Sequence, residues 1–123
     1  MPSGRHHYLG FLLSAANHPI YHSGDCIPFD GLPSRLRELD CEVALLPVNG
    51  RDNFRERQGI PGNFTLEEAI QLCSEAQIST MIAHHYGMFE FNTVAAESVD
   101  QAATKVGEFV EVVRARTGVR YSI

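Results

Sequence analysis

Pro19-Ile20-Tyr21-His22-Ser23-Gly24-Asp25-Cys26 reads as a short buried strand that stops at a glycine, with an acid directly after the stop. A carboxylate at the C-terminal edge of a strand points out of the sheet, where open α/β folds place their ligands. Gly24 permits a sharp turn and a close approach to the backbone. Strand-Gly-Asp alone also describes an ordinary turn or helix cap. A second stretch shifts the balance. Met81-Ile82-Ala83-His84-His85-Tyr86-Gly87-Met88-Phe89-Glu90-Phe91-Asn92 is another apolar strand that ends in ligand-type side chains and a glycine. An Asp and a His at the ends of two strands are able to share one metal ion.

On the N-terminal side, Tyr8-Leu9-Gly10-Phe11-Leu12-Leu13-Ser14 is almost continuously apolar, which predicts a strand covered on both faces. Ala15-Ala16-Asn17-His18 is a tight turn in which Asn17 tolerates positive φ. Pro19 opens the next strand, so the two strands form an antiparallel hairpin. His6 and His7, in the polar N-terminal segment, are neighbours in an extended chain and point to opposite faces.

On the C-terminal side, residues 26–31 form an irregular loop. Residues 33–39 form a short helix with Leu32, Leu36 and Leu39 on one stripe. Residues 42–48 are a strand that ends in the turn signal Asn49-Gly50 and in Arg51. The charged run 52–63 predicts a long loop. Thr65 and Glu68 make a Thr-x-x-Glu capping box before a helix that buries Leu66, Ala69, Ile70, Cys73 and Ala76. Residues 79–83 are a strand delivering His84 and His85, and residues 86–93 are a second loop at the same edge. Ser98 with Gln101 predicts a further capping box and a helix to about Thr117. Its stripe is Val99, Ala102, Val106, Phe109 or Val110, and Val113. Gly118 fits a C-terminal cap, and Val119-Arg120-Tyr121 a last small strand. The order β-β-α-β-α-β-α-β implies a mixed sheet with helices on at least one face.

A chain of 123 residues makes one domain and buries roughly two-thirds of its unfolded surface. Its 44% apolar and 20% charged residues place it with ordinary globular sequences rather than disordered ones. The net charge of -5 argues against a nucleic-acid footprint, which needs clustered Lys and Arg. No apolar run approaches the roughly 20 residues of a membrane span, and the N-terminus has no signal-like apolar core. Three cysteines, an odd number without paired spacing, fit a reducing cytoplasm.

Four stretches carry a family resemblance: Gly4-Arg5-His6-His7-Tyr8-Leu9-Gly10-Phe11, Tyr21-His22-Ser23-Gly24-Asp25, Ala44-Leu45-Leu46-Pro47-Val48-Asn49-Gly50-Arg51 and His85-Tyr86-Gly87-Met88-Phe89-Glu90-Phe91-Asn92-Thr93. In order and spacing they resemble the metallo-β-lactamase-fold metal-dependent hydrolases, in the L-ascorbate-6-phosphate lactonase-like branch. The family's first metal motif, His-x-His-x-Asp-His, is absent from this chain, as is the single His ligand that follows it. The resemblance therefore implies a single partial domain, the C-terminal half of a metallo-β-lactamase-type αββα sandwich. Such a half is a mixed α/β sheet with helices on one face and its other face apolar.

The resemblance makes Asp25 a bridging ligand and His85 the last His ligand of a divalent metal site, Zn or Mn, and so catalytic. His84 then faces away, and His22 lies beside the site. Asn49, Arg51 and Tyr86, with Asn92, are expected to hold a small anionic substrate, since an arginine fork suits phosphate or carboxylate. Cys26 stands where a threonine is expected and reads as a small buried side chain or a thiol near the metal. The implied reaction is hydrolysis of a lactone, ester or phosphoester by metal-bound water. Two protein ligands fall short of the three of a catalytic zinc site. The metal is thus expected to be weakly held, and the expected partner is the N-terminal half or a second copy. The alternative reading is a catalytically inactive remnant, or a small α/β interaction module that keeps the scaffold.

Overall fold

Two consecutive residues in left-handed backbone, Ala16 at φ 50° and Asn17 at φ 66°, reverse the chain between β1 (Phe11–Ala15) and β2 (His18–His22). This double left-handed step suits the twist of a two-residue hairpin, and the strands pair antiparallel from Phe11↔His22 to Ala15↔His18. In the computed structural model, which describes residues 8–60, 62–87, 90, 93–105 and 110–122, the chain continues through α1 (Leu32–Glu38), β3 (Val43–Pro47), α2 (Asn53–Arg57), α3 (Leu66–Ala76), β4 (Thr80–His84), α4 (Ala96–Lys105) and β5 (Glu111–Arg114). The sheet order is β1-β2-β3-β4-β5, and every pair from β2 onward is parallel.

The register explains the layering. Leu12, Tyr21, Ala44, Met81 and Val112 lie in one row across the sheet. Tyr21, Ala44, Met81 and Val112 share a buried cluster with Leu36 of α1, Leu72 and Cys73 of α3 and Val99 of α4. Side chains alternate along a strand, so these helices cover one face of the sheet, as expected. The adjacent rows, Phe11-His22-Leu45-Ile82-Val113 and Leu13-Ile20-Val43-Thr80-Glu111, belong to the opposite face.

Several local expectations are corrected. The apolar β1 is not covered on both faces: Phe11 and Leu13 are 58% and 61% exposed, because β1 is an edge strand and its residues lie outside the buried cluster under the helices. The 52–63 run contains a helix, α2. Asp52 caps it, accepting from the Arg55 N–H at 2.8 Å and from Arg55 Nε at 2.7 Å. Such an N-cap satisfies a backbone donor that the first turn leaves open.

The last helix is shorter than its stripe suggested. It starts at Ala96, with the Ser98 and Val99 N–H groups on Ala95 O, so Ser98 is inside the helix and does not cap it. It is described as far as Lys105, and Val113 lies in β5, in register with Ile82. A β-branched Val112-Val113 pair beside the open edge of β4 gains more from parallel ladder bonds than from extending a helix. Gly118, at φ 78°, turns the chain after that strand rather than capping a helix. Residues 119–121 form no strand; the Tyr121 hydroxyl instead donates to Arg114 O at 2.9 Å. Val106 and Phe109 lie outside the described residues, as do His6 and His7. Among the described residues no helix is long and apolar enough to cross a membrane.

The layering predicts unequal costs on the two faces. Leu46, fully buried under the helices, should cost about 2–5 kcal/mol when changed to Ala. Phe11→Ser, at an exposed position of the edge strand, should stay within about 0.5 kcal/mol. Urea midpoints at constant protein concentration check the contrast, and equal costs would contradict the one-sided core.

Candidate functional site

Because β2, β3, β4 and β5 run parallel, the residues just past their C-terminal ends meet at one edge. At the end of β2, Gly24 takes φ 62° and its N–H donates to His22 Nδ1 at 3.0 Å. A backbone N–H can only donate, so Nδ1 is the acceptor and the neutral His22 ring carries its proton on Nε2. A side chain at Gly24 would be strained by that φ and would also press on Leu9 O at 3.1 Å. The turn delivers Asp25, whose side chain is 56% exposed.

β4 ends at His84, and His85 then adopts φ 62°. Histidine is among the side chains that tolerate this left-handed step, and the step breaks the strand's alternation. His85 Nε2 comes within 3.8 Å of Asp25 Oδ1, too far for a hydrogen bond. His84 instead lies against His22, with ring centroids 5.0 Å apart. His84 Nε2 is buried with no hydrogen-bond partner among the described residues. Burial first, then the neighbouring His22 and His85, push the His84 pKa down to about 4, so its ring is neutral at pH 7.

Asn63 also belongs to this edge, although nothing in the sequence reading singled it out. It is 2% exposed. Its Oδ1 accepts from the Cys26 N–H at 2.8 Å, and its Nδ2 donates to Asn49 Oδ1 at 2.9 Å and to Asp25 Oδ1 at 3.4 Å. The Asn63 N–H donates to Gly50 O and the Gly50 N–H to Phe64 O, which holds this segment against the exit of β3. The available signal was its position: one polar residue between Gly62 and the apolar Phe64, directly before the capping-box Thr65.

The three residues expected to bind substrate are held as follows. Asn49 is buried; besides its bond with Asn63, its carbonyl accepts from Arg55 Nη1 at 2.7 Å. Arg51 places Nη1 and Nη2 on the two Glu68 oxygens at 2.6 and 2.8 Å, and Nη1 also reaches Asn63 O at 3.1 Å. Gly62 makes room for it, since a Cβ there would fall 2.4 Å from Arg51 Cβ. The Tyr86 hydroxyl donates to Ala115 O, and the Arg114 guanidinium lies 5.6 Å from the Tyr86 ring centre. Cys26 is half-buried, and burial pushes its thiol pKa up, away from a thiolate. Asn92 lies outside the described residues. The edge thus brings Asp25 and His85 together and joins Asn49 to them through Asn63. Arg51 is turned to Glu68 and Tyr86 to Ala115.

Asp25 and His85 supply one oxygen and one nitrogen, a donor set that suits zinc or manganese. Their separation is within the roughly 4 Å that two bonds of about 2 Å can span. They are a partial set: among the described residues no group of three or more His, Cys, Asp and Glu is placed to hold a metal ion.

Residues 2–86 match the family described as the Beta-lactamase superfamily domain. A metal-dependent hydrolase of Myxococcus xanthus is 31% identical over 84 residues, which cover 66% of this chain and 26% of that protein. Two solved structures share the fold. A metallo hydrolase of the archaeon Ignicoccus hospitalis has a TM-score of 0.58 at 20% identity, covering 83% of this chain and 40% of the other. A Thermotoga maritima protein assigned to the Zn-dependent hydrolases of the metallo-beta-lactamase superfamily has a TM-score of 0.59 at 17% identity, covering 87% and 58%. The chain thus spans less than two-thirds of the length of each of these relatives.

The Arg51–Glu68 brace gives a pH-dependent prediction. The Arg51 fork, assisted by the Thr65 N–H and hydroxyl, holds the Glu68 pKa down to about 2. The unfolded carboxyl titrates near 4.3. A depressed carboxylate stabilises above its unfolded pKa, and that contribution is lost as pH falls through about 4 toward 2. The Glu68 side chain is 30% exposed and Arg51 41%, so screening leaves the pair about 1 kcal/mol. Glu68→Gln should lower stability by that amount at pH 7 and converge with the wild type near pH 2. Urea midpoints at pH 7, 4 and 2.5 would expose a pH-independent gap if the ion pair were not its source.

Proposed function

The chain belongs to the beta-lactamase superfamily, and from that premise we propose that it is part of a metal-dependent hydrolase, contributing Asp25 and His85 to the metal site. The observation that carries this reading is the 3.8 Å approach of Asp25 Oδ1 to His85 Nε2. These residues leave two strands that are not neighbours, since β3 lies between them. Two donors converging across an intervening strand are more than one turn's local chemistry would produce. We take the remaining ligands to come from a polypeptide segment outside these 123 residues, joined to them or separate. The resident metal is proposed to be zinc or manganese.

When bound, such an ion lowers the pKa of water toward 7 and polarises a carbonyl or phosphoryl oxygen. The chain's own residues do the positioning. Asp25 presents an exposed carboxylate from a glycine-shaped turn. His85 presents Nε2 from its left-handed step. The neutral His84 ring, with His22 against it, lines the adjoining wall. The proposed substrate is a lactone, ester or phosphoester carrying an anionic group, as in the lactonase-like branch. The half-exposed Arg51 is its proposed anchor, with Asn49 and Tyr86 shaping the same edge through their neighbours. Cys26, Cys41 and Cys73 are all free thiols, which supports a reducing compartment, the cytoplasm. The exposed Phe11 and Leu13 support a partner segment, or a second copy, on the open sheet face.

Isothermal titration with Zn²⁺ or Mn²⁺ tests the reading on the chain itself. Weak binding is expected in the wild type and none in Asp25→Ala or His85→Ala. Binding that survives both substitutions would sink the ligand assignment. Turnover of ester, lactone and phosphoester substrates should be slow, and rapid hydrolysis would refute the two-donor count. Where turnover is measurable, Arg51→Ala should raise KM with little change in kcat. An unchanged KM would leave Arg51 a brace for Glu68 alone. Sedimentation should show self-association that Phe11→Ser with Leu13→Ser diminishes; a clean monomer in the wild type would argue against the partner surface.

A further inference from the structure

We propose that Asn63 is a positioning residue for Asp25: its buried side-chain amide pins the backbone that follows Asp25 and aims the carboxylate toward His85. This rests on the reading of Asp25 and His85 as metal ligands.

The argument starts from what an amide can do. The Cys26 N–H is a donor only, so the group facing it at 2.8 Å must be Asn63 Oδ1. That single bond fixes which way the amide is turned. Nδ2 is then directed at the other side, where two acceptors wait: Asn49 Oδ1 at 2.9 Å and Asp25 Oδ1 at 3.4 Å. The Asp25 contact is long, so the amide steers the carboxylate more than it binds it. The restraint on the backbone is the stronger of the two, and it acts on the residue immediately after Asp25.

Asn63 is itself held in place. Its N–H donates to Gly50 O at 3.1 Å, its carbonyl accepts from Arg51 Nη1 at 3.1 Å, and the residue is 2% exposed. A buried amide with both ends satisfied has one orientation rather than several. The oxygen that receives its Nδ2 is also the Asp25 oxygen that faces His85 Nε2. An N–H on that oxygen leaves its second lone pair for a cation. Groups that orient a ligand in this way typically contribute about 10–100-fold in metal affinity.

The test has two readouts on the 123-residue chain. NMR Hα–Hβ couplings report the Asp25 rotamer without any metal, and amide exchange reports the Cys26 N–H. Zn²⁺ titration reports affinity. In Asn63→Ala the Asp25 couplings should average between rotamers, Cys26 exchange should accelerate, and Zn²⁺ should bind about tenfold more weakly. Phe64→Leu, a core change next door, controls for general loosening and should leave the Asp25 couplings and Zn²⁺ affinity near wild type.

If Asn63→Ala does not fold, Asn63→Asp keeps the acceptor for Cys26 but sets a carboxylate against Asp25. It should preserve slow Cys26 exchange and still disperse the Asp25 rotamers. Unchanged Asp25 couplings in the folded Asn63 variant overturn the proposal, as does the same loss in Phe64→Leu. Wild-type protein that binds no Zn²⁺ would refute the ligand reading, while the couplings would still decide the role of Asn63.

Discussion

Three backbone hydrogen bonds tie the exits of the parallel strands to one another. Ser23 N–H donates to Leu45 O, Val48 N–H to His84 O, and Ala115 N–H to Ala83 O, at 3.3, 3.0 and 2.9 Å. Each joins the first residue beyond one strand to the neighbouring strand. Parallel ladders align chain direction, so every exit falls at the same edge. The distance between Asp25 and His85 follows from this edge and from two left-handed residues, Gly24 and His85, set just past it. A slip of one residue in the β3–β4 register would carry His85 away from Asp25 and turn His84 to the helix face.

The segments beyond the exits have little apolar core of their own, and polar braces hold them instead. Asp52 and Arg55 close the start of α2, and Arg55 reaches back to Asn49 O. Glu68 works twice, as the reciprocal half of the Thr65 capping box and as the acceptor for Arg51. Asn63 and Asn49 lie among these braces, buried and bonded to each other. A hydrogen bond contributes about 1 kcal/mol net, while an unpaired buried polar group costs about 1–3 kcal/mol. The value of such a network therefore lies in uniqueness: other arrangements of these loops would leave amides unpaired.

The sheet is closed on one side by α1, α3 and α4, and among the described residues no comparable helical layer lies on the other. Phe11 and Leu13 stand out from that second face at the β1 edge, while Val43 and Ile82 near its centre are buried. His22 and His84 fall on the same face, at the end nearest Asp25 and His85, by register with Leu45 and Pro47. The His22–His84 pair therefore shares a sheet face with the exposed Phe11 and Leu13.

The strands and helices with local signatures were legible in the amino-acid order. Asn17 beside Pro19 marked the hairpin, Thr65 with Glu68 marked the start of α3, and two apolar runs ending in Asp25 and His85 marked the edge where those two side chains meet. These signals lie within a few residues of what they specify. The features that escaped depend on partners distant in sequence. The apolar runs of β1 and β3 look alike, but only pairing order decides that one is an edge and the other central. The Val112-Val113 segment continues a plausible helical stripe until an open strand edge competes for it. Arg51 carries the same charge wherever it points, and only the fold shows that Glu68, 17 residues away, braces its fork. Asn63 has no motif at all. Its role exists because the fold brings its amide to a backbone N–H 37 residues away, a match of one donor to one acceptor that tertiary structure alone decides.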